Sequence, residues 1–161
     1  MKVKLSRQLC YFAGLQSRFK TENGEVGIKT NKQSLEEHFV SMSLNDFKIP
    51  SNKILIEENE NGSRHIFFYH SKLNKEIKQV IKSQTTIFKL PTPEARSFIA
   101  GIFDASGHFR EGSFFINRLS KGDQVMLETL KIHLKGNRVL NNKAFLSLIK
   151  GFSVVVEEYI N

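Results

Sequence analysis

The stretch Phe98-Ile-Ala-Gly-Ile-Phe-Asp-Ala-Ser-Gly-His-Phe-Arg110 lies near the middle of the chain and determines the fold that the sequence predicts. Its apolar residues indicate a helix. The pair Ala100-Gly101 lets another helix approach closely, because close helix contact needs small side chains at the crossing point. Gly107 then predicts a tight turn into a strand. At the foot of this helix stands Ser106, which is polar but carries no charge.

A similar pattern occurs 87 positions earlier, where Phe12-Ala-Gly-Leu15 matches Ile99-Ala-Gly-Ile102. Each pattern begins a similar order of predicted elements. We therefore expect the two helices, called the motif helices below, to pack against each other around a pseudo-twofold axis. The small residues of that contact are Ala13, Gly14, Ala100 and Gly101.

The segment Leu90-Pro-Thr-Pro93 marks the joint between the two copies. Thr92 is a suitable N-cap, and Pro93 suits the first position of a helix because its missing N–H is not needed there. The sequence therefore predicts two units, residues 1–90 and residues 91–161.

Periodicity, capping residues and turn dipeptides assign the remaining elements. The first unit is predicted to contain a helix from Leu5 to Phe19, a strand over 26–29, a helix opened by a Ser34–Glu37 capping box, a hairpin of 53–58 and 64–70 about Asn61-Gly62, and a helix capped by Ser71. The second is predicted to contain the motif helix over 94–105, a hairpin through Gly112, a helix capped by Asp123 and stopped by Gly136, strands over 138–141 and 144–149, and a strand or helix over 152–160.

This order predicts an α+β protein with two pseudo-symmetric αββαββα units. The units pack through their motif helices, and strands from both form one shared, curved antiparallel sheet with a concave surface. The predicted hairpins 26–30 and 108–117 are short.

The chain is strongly basic, with 24 Lys and Arg against 16 Asp and Glu among 161 residues and a net charge of +8. Such a charge is typical of proteins that bind polyanions, because phosphate contacts release counterions.

No apolar run approaches the ~20 residues that span a bilayer, so no membrane partner is expected. The single cysteine, Cys10, is interpreted as buried packing. The basic start of the chain lacks a signal-peptide pattern. We therefore expect an intracellular protein of an organelle matrix or a bacterial or archaeal cytoplasm.

The segment Ile99-Ala-Gly-Ile-Phe-Asp-Ala-Ser-Gly107 resembles the nine-residue motif of the LAGLIDADG homing-endonuclease family. With the duplicated element order, the resemblance covers nearly all of the chain and implies a pseudo-dimeric monomer. In that family the last acid of each motif holds divalent metal beside the scissile phosphates. The corresponding residues here are Phe19 and Ser106, and neither supplies a charged oxygen to Mg²⁺.

Three acids remain as residual candidates for metal ligands. Asp104 matches the earlier acid of the motif, to which the resemblance assigns a structural role at the turn. Glu22 and Glu111 lie a few residues downstream of the two motifs. Histidine spacing predicts no metal site, so no cofactor is expected unless these acids keep nuclease activity with Mg²⁺.

Basic residues on or beside the predicted strands are the expected phosphate contacts. Two further residues, His65 and Tyr69, could stack on an unpaired base. The basic residues are Lys29, Lys53, Arg64, Arg110, Arg118, Arg138 and Lys143.

Together these features favour a nucleic-acid-binding protein that does not cleave its target. RNA is favoured over DNA, because the short hairpins of a homing-endonuclease-like protein reach few base edges of a long DNA site. The RNA would be rRNA, with the chain as a ribosomal component beside other ribosomal proteins, or intron RNA, with the chain as a maturase. The alternative is an active, metal-dependent DNA homing endonuclease. A third hypothesis is a DNA-binding regulator, which the missing helix-turn-helix segment disfavours.

Overall fold

The computed structural model describes residues 3–160; Met1, Lys2 and Asn161 lie outside the described residues. The first half contains α1 (Arg7–Gln16), β1 (Glu25–Thr30), α2 (Gln33–Asn45), β2 (Leu55–Glu58), β3 (Arg64–Tyr69), α3 (Ser71–Lys82) and α4 (Gln84–Ile87). The second half contains α5 (Pro93–Ser106), β4 (Gly107–Arg110), β5 (Ser113–Ile116), α6 (Lys121–Thr129), β6 (Leu134–Lys135), β7 (Arg138–Val139), α7 (Asn142–Ile149) and α8 (Glu157–Ile160). None of the described helices is long and apolar enough to cross a membrane.

The motif helices α1 and α5 cross at Gly14 and Gly101. A Cβ atom on Gly14 would collide with the carbonyl oxygen of Phe98, and one on Gly101 would collide with that of Tyr11. Phe98 and Tyr11 each stand three residues before the glycine of their own helix, so the contact is symmetric. The predicted packing of the units through their motif helices is confirmed.

The core is continuous around this crossing. Ala13 and Ala100 are fully buried beside the two glycines, and aromatic rings of both helices extend the packing outward. The ring of Phe12 stacks on Phe39 of α2, with centroids 4.9 Å apart. On the other side, Phe103 contacts Phe145 of α7 edge to face. Apolar burial around the paired helices therefore joins the two halves.

Two antiparallel sheets lie beside the motif helices. The first has the strand order β1-β3-β2 and the second β4-β5-β7-β6. Residues paired across strands share a face of the sheet. Paired Ile28 and Ile66 are buried on the inner face of the first sheet, and Ile116 and Val139 are buried on that of the second. The face opposite these core residues is called the open face of each sheet.

The expectation of one shared sheet is wrong, because no backbone ladder joins the two sheets within residues 3–160. The halves also differ in order. The second half follows αββαββα, whereas the first has only β1 between α1 and α2. The α+β class and the two packed units are confirmed, but the first unit departs from the predicted formula.

Two predicted helix caps are replaced by neighbouring residues. Lys32 stands at the N-cap of α2 without a side-chain cap, and the hydroxyl of Ser34 donates instead to Glu158 of α8. His70, and not Ser71, caps α3: its Nδ1 accepts the N–H of the third helical residue at 3.0 Å. Thr92 and Pro93 start α5 as the sequence predicts.

Helix α6 begins and ends earlier than predicted. Ser120 is the N-cap, and Asp123 is the reciprocal partner of a capping box, with distances of 3.0 and 2.9 Å between backbone nitrogens and side-chain oxygens. Lys131 has a positive φ of 62°, which a helix does not accommodate, so α6 stops at Thr129. Leu134, predicted inside the helix, lies in β6.

The predicted strand over 144–149 is wrong, because this segment forms helix α7. Phe145 and Ile149 lie one helical turn apart and are both fully buried. The strand predicted over 138–141 shortens to Arg138–Val139. The ambiguous segment 152–160 runs without strand pairing to the short helix α8.

Candidate nucleic-acid interface

Uncharged residues occupy the feet of the two motif helices. Ser106 is the last residue of α5, and its buried hydroxyl donates to the carbonyl oxygen of Ile102 at 3.0 Å. Phe19 follows α1 and packs half-buried against the core. A phenyl ring and an engaged hydroxyl do not fit a divalent cation, which prefers carboxylate and water oxygens. Within residues 3–160, no three His, Cys, Asp or Glu side chains are grouped as metal ligands.

The carboxylate of Asp104 is fully buried and accepts four hydrogen bonds. The hydroxyls of Tyr11 and Ser153 donate two of them. The backbone N–H groups of Val154 and Val155 donate the others, at 3.0 and 3.3 Å. Burial raises the pKa of Asp104 to about 6, and these hydrogen bonds act in the opposite sense. The carboxylate therefore joins α1, α5 and the segment after α7.

The other two residual acids lie at the surface on separate elements. Glu22 is exposed in the loop between α1 and β1. Glu111 is exposed in the β4–β5 turn, where it has a positive φ of 51°. Asp104 is enclosed in the core. The structure therefore does not bring these three carboxylates together as a ligand set.

Cationic side chains of the first half contact the second half near both helix feet. The guanidinium of Arg18, just after α1, lies 2.5 Å from the carboxylate of Asp123, and both side chains are almost fully buried. The ammonium of Lys32 donates to the carbonyl oxygens of Asp104 and Gly107, at 3.4 and 3.1 Å. Burial lowers the pKa of Lys32. A cation is favoured at this end of α5 because the helix dipole is negative there.

The open face of the second sheet is cationic and aromatic. The His108 ring stacks on Phe115 with centroids 5.1 Å apart, and the Arg110 guanidinium lies 4.8 Å from the Phe115 ring centre. Arg138 pairs with Phe115 across the strands, and its Nε donates to Ser113 at 3.2 Å. Burial, with the charges of Arg110 and a nearby lysine, lowers the pKa of His108. None of the strand residues on this face, within the described part of the chain, is acidic.

The open face of the first sheet is mixed in charge. His65 pairs with Lys29 on one side and Glu57 on the other. Its Nε2 lies 3.6 Å from Glu25 and its Nδ1 lies 3.7 Å from Glu57. Tyr69 is exposed at the end of the same row of side chains. Carboxylates on this face repel phosphate, so the open faces of the two sheets differ in chemistry.

Several of the predicted phosphate contacts lie elsewhere. Arg64 has the opposite strand parity to His65, and its guanidinium pairs with Glu36 of α2 at 3.1 Å. Lys53 is exposed in a short 3-10 turn before β2. Arg118 is exposed in the loop before α6, and Lys143 is exposed in the first turn of α7 and not beside a strand. The structure therefore brings together Arg110 and Arg138 but not the whole predicted set.

The sequence did not predict three residues of the cationic face: His108, Phe115 and Lys135. The alternation His108, Arg110 and Ser113, Phe115 on either side of the Glu111-Gly112 turn places these four residues on one face. This alternation could have predicted from the sequence that His108 and Phe115 share a face with Arg110. Lys135 pairs with Arg138 in a two-residue ladder, which is too short to predict from periodicity.

Comparison with solved structures identifies the fold. The chain is similar to the homing endonuclease I-DmoI in complex with DNA and Ca, with a TM-score of 0.68 and 15% identity over 95% of this chain and 97% of that chain. The complex of I-DmoI with DNA and Mn gives a TM-score of 0.67 and 17% identity, covering 91% and 97%. Mesophilic variants of I-DmoI give 0.67 and 16%, covering 92% and 97%. No protein-family model and no curated protein sequence matches the chain. At these identities the similarity establishes the fold alone: the chain has the two-unit LAGLIDADG homing-endonuclease fold.

Proposed function

We propose that this chain binds nucleic acid through the open faces of its sheets and does not cleave it. The observation that carries the proposal is the cationic face of the second sheet, where His108, Arg110 and Arg138 surround Phe115. Arginine and lysine side chains supply the phosphate contacts that dominate affinity. The stacked pair of His108 and Phe115 can support an unstacked base or the edge of a sugar.

The absence of cleavage is inferred from the residues at the helix feet. Metal-dependent hydrolysis of a phosphodiester needs carboxylates that hold the cations in line with the scissile bond. Phe19 and Ser106 stand at the feet of the motif helices, where the resemblance expects those carboxylates, and the Ser106 hydroxyl is already engaged. The carboxylate of Asp104 already accepts four hydrogen bonds from within the protein. The I-DmoI structures are of complexes with Mn or Ca, or in the presence of Mg, but the residues at the feet of the motif helices of this chain do not fit such an ion.

RNA is the target we favour, either rRNA within a ribosome or intron RNA bound by a maturase-like protein. The strands of the open faces are two to six residues long, about 20 Å at most. Strands of this length follow only a short part of a DNA major groove. A folded RNA offers phosphates, sugar hydroxyls and unpaired bases within a compact surface.

Removing the two arginines of the cationic face tests the interface. In the double variant Arg110→Ala/Arg138→Ala, we expect affinity for a structured RNA to fall by about tenfold or more, because two charge-assisted contacts are lost. The slope of log affinity against log salt should decrease by about two. Fluorescence anisotropy over a series of KCl concentrations measures both quantities, with an RNA hairpin and a DNA duplex of the same sequence as probes.

The matched control removes the same charge from another surface. Lys75 and Lys78 are exposed on α3, and Lys75→Ala/Lys78→Ala should change affinity less than about threefold, because only long-range attraction is lost. Equal losses in the two double variants would show that binding depends on net charge and would contradict an interface at the second sheet. Metal-dependent cutting of either probe by the wild type would contradict the absence of cleavage.

A further inference from the structure

A pocket of about 180 Å³ opens on the first sheet beside the foot of α1. Phe19 forms part of its wall, at the position where the family motif has its last acid. The other side chains that the argument uses are Lys20, Glu25, Lys29 and His65.

Glu25 is the unusual group in this pocket. Its side chain is only 8% exposed, yet within residues 3–160 no side chain or backbone N–H donates a hydrogen bond to its carboxylate. The nearest polar group is Nε2 of His65, at 3.6 Å, which is longer than a hydrogen bond. Among residues 3–160 the enclosed side-chain atoms without a partner are Arg64 Nε and Asp123 Oδ1, so the Glu25 oxygens are still reached from the pocket. The Glu25 carboxylate is therefore open to a ligand that brings its own donors.

The surroundings of Glu25 suit a planar base whose phosphate stays at the mouth of the pocket, because Glu25 and Glu22, which also lines the pocket, repel phosphate. The rings of Phe19 and His65 line the pocket, and the His65 ring is held by stacking on Phe67, with centroids 4.2 Å apart. Lys20 and Lys29 are exposed where the pocket meets solvent. A base can lie against the rings while its phosphate contacts the lysines.

We propose that this pocket binds one unpaired guanine base of the target, with guanine N1–H and the N2 amino group donating to the Glu25 carboxylate. Guanine is the base whose pairing edge presents two adjacent donors, matching the two carboxylate oxygens. Cytosine and adenine place a ring acceptor beside their amino group, and uracil places carbonyl oxygens on both sides of its N–H. The inference rests on the proposed function and specifies the target further: the base must be unpaired, since pairing occupies the same donors.

The test compares RNAs of about 12 nucleotides, within the usual range of single-strand site sizes, that differ at one base. The probes are a fluorescein-labelled oligouridylate and its variants with one central guanine or one central inosine. Inosine lacks only the N2 amino group. Wild type should bind the guanine probe about fivefold or more tightly than the other two, the lower end of the discrimination given by a bidentate contact. Glu25→Gln should bring the guanine and inosine probes to equal affinity while leaving the affinity for oligouridylate within about twofold, because the single amide oxygen cannot accept from both guanine N1–H and the N2 amino group.

Glu57→Gln is the matched control, because Glu57 lies on the other side of His65 and does not line the pocket. This variant should keep the guanine preference. If all three probes bind the wild type equally, the guanine pocket is refuted while nucleic-acid binding stands. If neither these probes nor the structured RNA hairpin binds, the proposed function fails as well. The comparison of guanine with inosine is decisive on the wild type even if a Glu25 variant does not fold.

Discussion

Gly101→Ala is expected to lower the free energy of unfolding by about 3 kcal/mol, a large part of the stability of a domain of this size. The added Cβ would collide with the carbonyl oxygen of Tyr11 and lie 2.9 Å from the nitrogen of Leu15 and 3.0 Å from the Cα of Gly14. All three atoms belong to the backbone of α1, so no side chain can rotate away. The higher helix propensity of alanine stabilises the variant by only about 1 kcal/mol and does not offset this collision. Urea unfolding followed by circular dichroism measures the loss.

Gly122→Ala provides a matched control on helix α6. There the new Cβ would meet the amide end of the buried Gln84 side chain, which donates to Ser120 at 3.3 Å, and not a backbone atom. We expect the free energy of unfolding to change by no more than about 1 kcal/mol, because the higher helix propensity of alanine offsets the lost contact.

Gly14→Ala should destabilise the protein as much as Gly101→Ala. The double variant should lose less unfolding free energy than the sum of the two single losses, since both added side chains push the same helix crossing apart. A Gly101→Ala variant as stable as wild type would contradict the observed approach of the motif helices.

Asp104→Ala is the second change with a large expected effect. It leaves the hydroxyls of Tyr11 and Ser153 and the N–H groups of Val154 and Val155 without their acceptor. Several unsatisfied buried donors together are expected to lower the free energy of unfolding by about 4 kcal/mol at neutral pH. The segment after α7 should become sensitive to proteases, because Asp104 is its main polar attachment to α5.

The loss from Asp104→Ala should depend on pH. Burial raises the pKa of the folded carboxyl to about 6, above its ordinary value of 3.8. The folded state therefore binds the proton more tightly, and ionisation opposes folding as pH rises from about 4 to about 6. The difference in unfolding free energy between wild type and Asp104→Ala should be larger near pH 4 than at neutral pH.

Asp104→Asn is the control, because asparagine keeps the shape of the side chain and one acceptor. Its loss of unfolding free energy should be smaller than that of Asp104→Ala, and its stability should show no titration between pH 4 and pH 6. A difference that grows with pH would contradict the raised pKa.

The sequence predicted those parts of the fold that local chemistry determines. Asn61-Gly62 specifies a hairpin turn by itself, and β2 and β3 pair around it. Thr92 and Pro93 specify the start of α5 in the same way. The small residues of the motif helices predict close packing, because no side chain interferes at Gly14 and Gly101. These features need no information from distant residues.

The segment after β7 was only partly predicted, with 144–149 wrong and 152–160 left open, because tertiary contacts decide its structure. The β-branched run Val154-Val155-Val156 favours a strand. In the structure, the N–H groups of Val154 and Val155 are bound by the carboxylate of Asp104, 50 residues before the first of them, and are not free for a ladder. Helix α7 likewise depends on burial of Phe145 against Phe103. No local pattern records these contacts.

The interface was only partly predictable because strand parity decides which side chains reach the open face. A shift of one residue reverses the face. Arg64 and His65 are neighbours in sequence, yet Arg64 pairs with Glu36 of α2 whereas His65 lies on the open face. The carboxylates of Glu25 and Glu57 beside His65 come from two other strands. Their proximity requires the register of the whole sheet, which composition and charge do not provide.

The central claim, that this fold is used here to bind nucleic acid without cutting it, is tested most directly in cells of the natural source. The bound nucleic acid is fixed to the protein by ultraviolet crosslinking, recovered and sequenced, and the recovered segment is then incubated with purified protein and Mg²⁺. We predict one enriched RNA segment that remains intact after the incubation. Recovery of a DNA site that the wild type cleaves in Mg²⁺, and that fails to be cleaved in EDTA, would contradict the account.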